Sequence, residues 1–157
     1  MSIRRARIDD WESIARLLDQ LEYSGTEAFL EAKLAVMLDD PAEVLLVWDA
    51  APDAADASLL VVASHQSPSI LGFLSLHFIP QIALCGDFAR ISYFAVDENA
   101  RSLGIGRQLE EAATHLARER GCALLEVHCH SRRDRAHEFY RRQGWEESPK
   151  YLIKRLL

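Results

Sequence analysis

The chain has 157 residues, 49% of them apolar, with 18 Lys and Arg against 24 Asp and Glu and a formal net charge of −6. One well-buried core fits that length and two ordinary domains do not, so a single domain over 1–157 is expected, and the acidic balance argues against nucleic acid or an anionic membrane as the main partner. The chain shows no apolar run near the roughly 20 residues of a bilayer span, no leader-like apolar start, and three cysteines (Cys85, Cys122, Cys129) without a shared spacing; a cytoplasmic protein with neither a disulfide framework nor a metal site is expected.

Ile3 to Ile8 alternates as a strand does, and Asp9 or Asp10 offers an N-cap ahead of Ile14, Leu17, Leu18 and Leu21, which lie on one helical face. Glu27 to Leu38 predicts a second helix with Leu30, Leu34, Met37 and Leu38 in line, ended by Asp39-Asp40-Pro41. Of the next apolar runs, 43–48 suits a strand or a helical turn and 58–64 suits a strand, with an Ala/Asp-rich stretch between them. Ile70 to Ile79 and Ile91 to Val96 read as strands that pair as a hairpin around Cys85 to Asp87. A helix follows Gly106 with Leu109, Ala112, Ala113 and Leu116 on its apolar face and stops at Gly121. Ala123 to Cys129 reads as a buried strand, and the last helix carries Ala136, Phe139 and Tyr140 on one face and stops at Gly144. Trp145 to Glu147 and Tyr151 to Leu156 are expected as short strands. The order predicts an α/β fold with a mixed sheet.

The stretch ARSLGIGRQLEE, residues 100–111, places two glycines where a helix should start. Leu109 occupies the place of the third glycine of a dinucleotide fingerprint, and no GxxxxGK[ST] loop is present, so both nucleotide-binding readings fail on spacing. A strand ending at Val96, a loop and bare N–H groups at a helix start still make an anion site, flanked by Arg101 and Arg107. A glycine-rich helix start with surface arginines is the plainer alternative.

VDENARSLGIGRQL, with Val96, Arg101, Gly104, Gly106 and Leu109, and then AHEFYRRQGW at 136–145 resemble the two signature segments of the GNAT superfamily of acetyl-coenzyme A-dependent N-acetyltransferases. The resemblance spans 91–147 and is weak over 40–66, which looks like an insertion. It implies a single N-acetyltransferase domain with a twisted, mixed, mostly antiparallel sheet of six to seven strands and about four helices. It implies acetyl-CoA as acetyl donor, with Arg101, Ser102, Leu103, Gly104, Ile105, Gly106 and Arg107 holding its pyrophosphate. Main-chain groups of Phe94, Ala95 and Val96 would pair with the pantetheine arm, one N–H polarising the thioester carbonyl. Tyr140 matches the tyrosine that in many members protonates the departing thiolate, as a phenol of pKa about 10 can when held within hydrogen-bond reach.

The chain departs from the family at Glu98, where proline is common, and at Ser92, where some members carry a glutamate that deprotonates the amine. Glu126 and His128, on one face of their strand, His77 near the end of another, or water are the alternatives for that base. Alternation sends Cys129 away from His128 and His130, which argues against metal. Arg132, Arg133, Arg135, Arg141 and Arg142 form a solvated basic helix face or a contact for the adenosine phosphates. The acceptor implied is a primary amine of a small molecule or peptide. The acid-rich segments Asp19 to Glu31 and Asp39 to Glu43 would suit a polyamine, aminoglycoside or basic peptide, and equally plain solubility. The family also allows a homodimer, and a noncatalytic acyl-CoA-binding or regulatory module on the same scaffold is the alternative function.

Overall fold

A computed structural model describes residues 2–50, 69–148 and 154–155. The chain divides into two compact units, Met1–Val127 and His128–Leu157.

In the first unit β1 (Ser2–Arg5) leads through a short 3-10 turn into α1 (Trp11–Asp19). Asp10 stands at the junction, and its carboxylate accepts from Arg4 Nη1 and Nη2 at 2.8 and 2.9 Å and from the Arg7 N–H at 2.7 Å. The predicted second helix is divided. Gly25, in the left-handed region at φ +78°, starts a 3-10 turn at Thr26–Ala28, Phe29 at φ −140° interrupts it, and α2 runs over Leu30–Asp39. Leu30 and Leu34 are buried as expected, whereas Leu38 is exposed.

The run at 43–48 is resolved as a strand, β2 (Glu43–Asp49), followed by β3 (Ile70–Ile79) and β4 (Phe88–Val96). After α3 (Ile105–Glu119), β5 covers only Leu124–Val127 of the longer strand predicted. The sheet order is β1-β2-β3-β4-β5, antiparallel except for the β4–β5 pair, which α3 joins as a crossover. Strands β2 and β3 are apolar on both faces because each face is covered. On one face Ile14, Leu17, Leu18, Leu30 and Leu34 of α1 and α2 pack with Leu45, Val47, Phe73 and Ala95. On the other, Ile105 and Leu109 of α3 lie against Gly72.

The second unit holds α4 (Asp134–Arg142), with Gly144 at φ +84° just beyond its end. Among the described residues the sheet has five strands, fewer than the six to seven expected. Trp145 to Glu147 form no strand: the Trp145 N–H turns back to the Tyr140 carbonyl at 3.1 Å, and its ring lies 5.2 Å from that of Tyr140. The strand expected at 58–64 and most of that at 151–156 lie outside the described residues.

Candidate acyl-donor site at the end of the fourth strand

Strand β4 changes phase part-way along. Its partner on β3 shifts from Ile91 opposite Leu76 to Tyr93 opposite Ser75, so Ser92 is an extra residue in the ladder, a β-bulge. Ala89 and Ile91 before it are buried on the α3 face, and Ala95 after it is buried among α1 and α2. The parallel ladder with β5 covers Phe88 to Ile91 and ends at the bulge, whereas the ladder with β3 continues to Val96. The second half of β4 therefore keeps one ladder where the first half has two.

The segment after β4 is held from α1. Asp97, buried, is bonded through its carboxylate to the Arg16 guanidinium and to the Asn99 N–H at 3.0 Å, and Arg16 Nη2 donates to the Ile70 carbonyl at 2.9 Å. Gln20 Oε1 accepts from the Glu98 N–H at 3.0 Å. Burial pushes the Asp97 carboxyl up, but the Arg16 and Asn99 hydrogen bonds outweigh it and hold the group below the ordinary carboxylate range.

Two residues in the left-handed region then turn the chain into α3: Ser102 at φ +67° and Gly104 at φ +82°. Gly104 is the N-cap, and its carbonyl accepts the first helical bond from the Gln108 N–H at 3.1 Å. Lacking a side chain, it cannot cap the first-turn donors. Among the described residues no protein group accepts from the N–H of Ile105, Gly106 or Arg107, and the first turn of α3 carries no acidic residue. A Cβ placed on Gly104 would meet nothing closer than Gln108 Nε2 at 3.8 Å, so the space before these donors is open. Such a helix start binds anions through its N–H groups and its dipole.

Each residue expected at this site has a definite setting. Arg101, Ser102 and Leu103 are exposed, Gly106 and Val96 half-buried, and Ile105 is buried to 1% exposure against Gly72. Phe94 is half-buried and the Ala95 side chain belongs to the core, so Ala95 can offer only main-chain groups. Arg107 is exposed and pairs with Glu111 at 2.7 Å. Trp48 Nε1 donates to Gln108 Oε1 at 3.2 Å, a tie between β2 and α3 that the helical spacing alone does not disclose.

In the second unit Tyr140 lies on α4, half-buried, its ring 5.3 Å from that of Phe139 in an edge-on arrangement. His128 does not share a strand face with Glu126, because β5 ends at Val127 and the chain then turns: His130 Nδ1 accepts from the Arg132 N–H at 3.2 Å, and its carbonyl lies 3.1 Å from His137 Nε2. No group of three or more His, Cys, Asp or Glu suited to a metal occurs among the described residues. Arg132, Arg135, Arg141 and Arg142 are exposed, but the groove of about 480 Å³ beside α4 is mixed in charge, lined by Asp134, Glu138 and Glu147 as well as Arg141.

Comparison with known proteins accords with this arrangement. Solved structures similar to this chain include a transcriptional regulator from Bacillus halodurans C-125, 24% identical with a TM-score of 0.79 over 99% of both chains. An acetyltransferase from Trypanosoma brucei is 21% identical, with a TM-score of 0.75 over 99% of both chains. An aminoglycoside acetyltransferase from an uncultured soil metagenomic sample, in complex with sisomicin, is 20% identical with a TM-score of 0.74, covering 99% of this chain and 96% of that one. At these identities the likeness establishes the fold. Among curated proteins none matches. The family model described as the acetyltransferase (GNAT) family matches residues 13–145, from α1 through the glycine loop to Trp145, and by that match the chain belongs to the GNAT acetyltransferase family.

Proposed function

We propose that this protein transfers an acetyl group from acetyl-CoA to a primary amine by direct attack. The observation that carries the reading is the start of α3, where the N–H groups of Ile105, Gly106 and Arg107, without protein acceptors among the described residues, follow the bulged end of β4. Residues 101–107 fit a pyrophosphate chemically: open space at Gly104, no carboxylate in the first turn, and arginines on either side. Bound there, the donor supplies an acyl group activated as a thioester. The main chain of Phe94, Ala95 and Val96 would hold the pantetheine arm and polarise the carbonyl, and Tyr140 would protonate the sulfur as it departs. The sisomicin complex of the metagenomic acetyltransferase supports an amine-rich small molecule as one acceptor class to try first.

The test is thiol release from acetyl-CoA over a panel of primary amines, with coenzyme A binding followed by calorimetry. Release with at least one amine is expected, and Tyr140→Phe should lower turnover by about 10²-fold or more at neutral pH while coenzyme A affinity stays within about twofold. Binding without release on any amine would favour a noncatalytic acyl-CoA module, and unchanged turnover in Tyr140→Phe would remove that residue from the mechanism.

A further inference from the structure

Four ionisable side chains from four strands stand in one row across the sheet. The register sets Glu43 on β2 opposite His77 on β3, His77 opposite Arg90 on β4, and Arg90 opposite Glu126 on β5. They project from the face that α1 and α2 cover elsewhere, since Phe73, Ser75 and His77 alternate along β3 and Phe73 packs in that core. The outer members divide the row into two pairs. Glu43 Oε1 lies 2.6 Å from His77 Nδ1, and Glu126 Oε1 lies 2.6 Å from Arg90 Nε and 2.5 Å from its Nη2.

The two pairs differ in what they can do with a proton. The Glu126 carboxylate is taken up by the Arg90 guanidinium through charge-assisted hydrogen bonds. An imidazole whose Nδ1 lies beside a carboxylate has the charge of its protonated form balanced there and presents Nε2 from the other side of the ring. Among the described residues neither ring nitrogen of His77 makes an aligned hydrogen bond, Nδ1 being buried beside Glu43 by proximity alone, and the His77 side chain is 37% exposed. The adjoining row, Leu45, Ser75 and Tyr93, contains a buried hydroxyl, Ser75 Oγ, with no hydrogen-bond partner among the described residues. The bulge at Ser92 falls between the two rows. With about 4.8 Å between strands and about 3.3 Å per residue, His77 stands roughly 8 Å from the bulge, which an imidazole and one water can span.

Resting on the acetyl-transfer reading above, we propose that His77, oriented by Glu43, is the base that deprotonates the acceptor amine. Nε2 takes one proton from the acceptor's ammonium group, and the imidazolium so formed is balanced by Glu43. The freed nitrogen lone pair forms the C–N bond at the thioester carbonyl, whose π electrons move to oxygen. Collapse breaks the C–S bond, the sulfur leaving with the bonding pair; the second proton lost by nitrogen balances the one gained by sulfur. His77 returns its proton to water, so one proton is released per turnover. The charged and titratable groups about His77 are Glu43 from β2 with Asp40 in the turn before it, Arg90 and Tyr93 from β4, and Glu126 beyond Arg90.

The experiment uses the full chain with acetyl-CoA and an amine that gives thiol release, measured from pH 5.5 to 9.5 for wild type, His77→Gln, Glu43→Gln and Glu126→Gln. Nitrogen-15 NMR of the histidine rings is recorded without substrate. His77→Gln should lose about 10²-fold in kcat and the acidic limb of the pH profile, with coenzyme A affinity within twofold. Glu43→Gln should lose about tenfold in kcat and shift the neutral His77 ring from the Nδ1–H tautomer toward Nε2–H, while Glu126→Gln stays within threefold. A His77→Gln enzyme within threefold of wild type with its acidic limb intact overturns the proposal. So does an Nε2–H tautomer in the wild type, or a loss confined to Glu126→Gln. Wild-type protein that releases no thiol with any amine would overturn the acetyl-transfer reading itself, an outcome distinct from active protein indifferent to His77.

Discussion

Gly104 and Gly106 stand two residues apart for different physical reasons. Gly104 sits at φ +82°, where a side chain is strained whatever the surrounding space, so replacing it tests the turn as much as any ligand. Gly106 lies inside α3 with an ordinary helical backbone, and there valine is no worse a helix former than glycine. Gly106→Val should therefore keep the thermal midpoint within a few degrees while weakening coenzyme A binding at least about tenfold by calorimetry; unchanged affinity would move the anion cradle away from this turn. The glycine pattern was legible in the sequence. That Gly104 needs its positive φ and Gly106 does not could not be read there, because φ is a property of the folded backbone.

At the scale of the element, the start of α3 is set by how closely the helix approaches the sheet. Gly72 on β3 lets Ile105 and Leu109 rest on the strand: a Cβ there would come within 3.0 Å of Ile105 Cγ2 and Leu109 Cδ1 and 3.2 Å of the Ala95 carbonyl. Both side chains are fully buried, which leaves little room for them to give. Gly72→Ala should cost about 1–3 kcal/mol by urea unfolding, as overpacking in a filled core does. A variant as stable as wild type would show that α3 can lift without penalty. The helix itself was readable from its apolar spacing, and β3 from its run of branched residues. The bulge at Ser92 was not, since an extra residue shows only against a partner strand. Two residues, not one, separate the α3-facing Ile91 from Phe94, which lies opposite Leu74.

For the whole molecule, two buried carboxylates anchor arginines that reach across the first unit: Asp10 holds Arg4, which also pairs with Asp49, and Asp97 holds Arg16. For Asp10, burial raises the carboxyl, yet the Arg4 and Arg7 hydrogen bonds and charges outweigh it, so like Asp97 it titrates below its ordinary range. A folded-state value below the unfolded one means stability that is fully present above about pH 4 and is lost as pH falls through the folded values. Urea midpoints should hold from pH 7 to about 5 and drop below pH 4, with Asp97→Asn less stable at pH 7 by about 1–3 kcal/mol and flatter in its acid dependence. Equal slopes in wild type and variant would take Asp97 out of that account. The sequence by itself determined the order of most elements, the glycine loop at the start of α3 and the family, because periodicity and loop spacing are local properties of the chain. Only the tertiary structure decided that 43–48 is a central strand, that Glu126 is occupied by Arg90, and that Glu43 meets His77. Those pairings join residues tens of positions apart, and strand register, which sets them, is fixed by packing across the sheet.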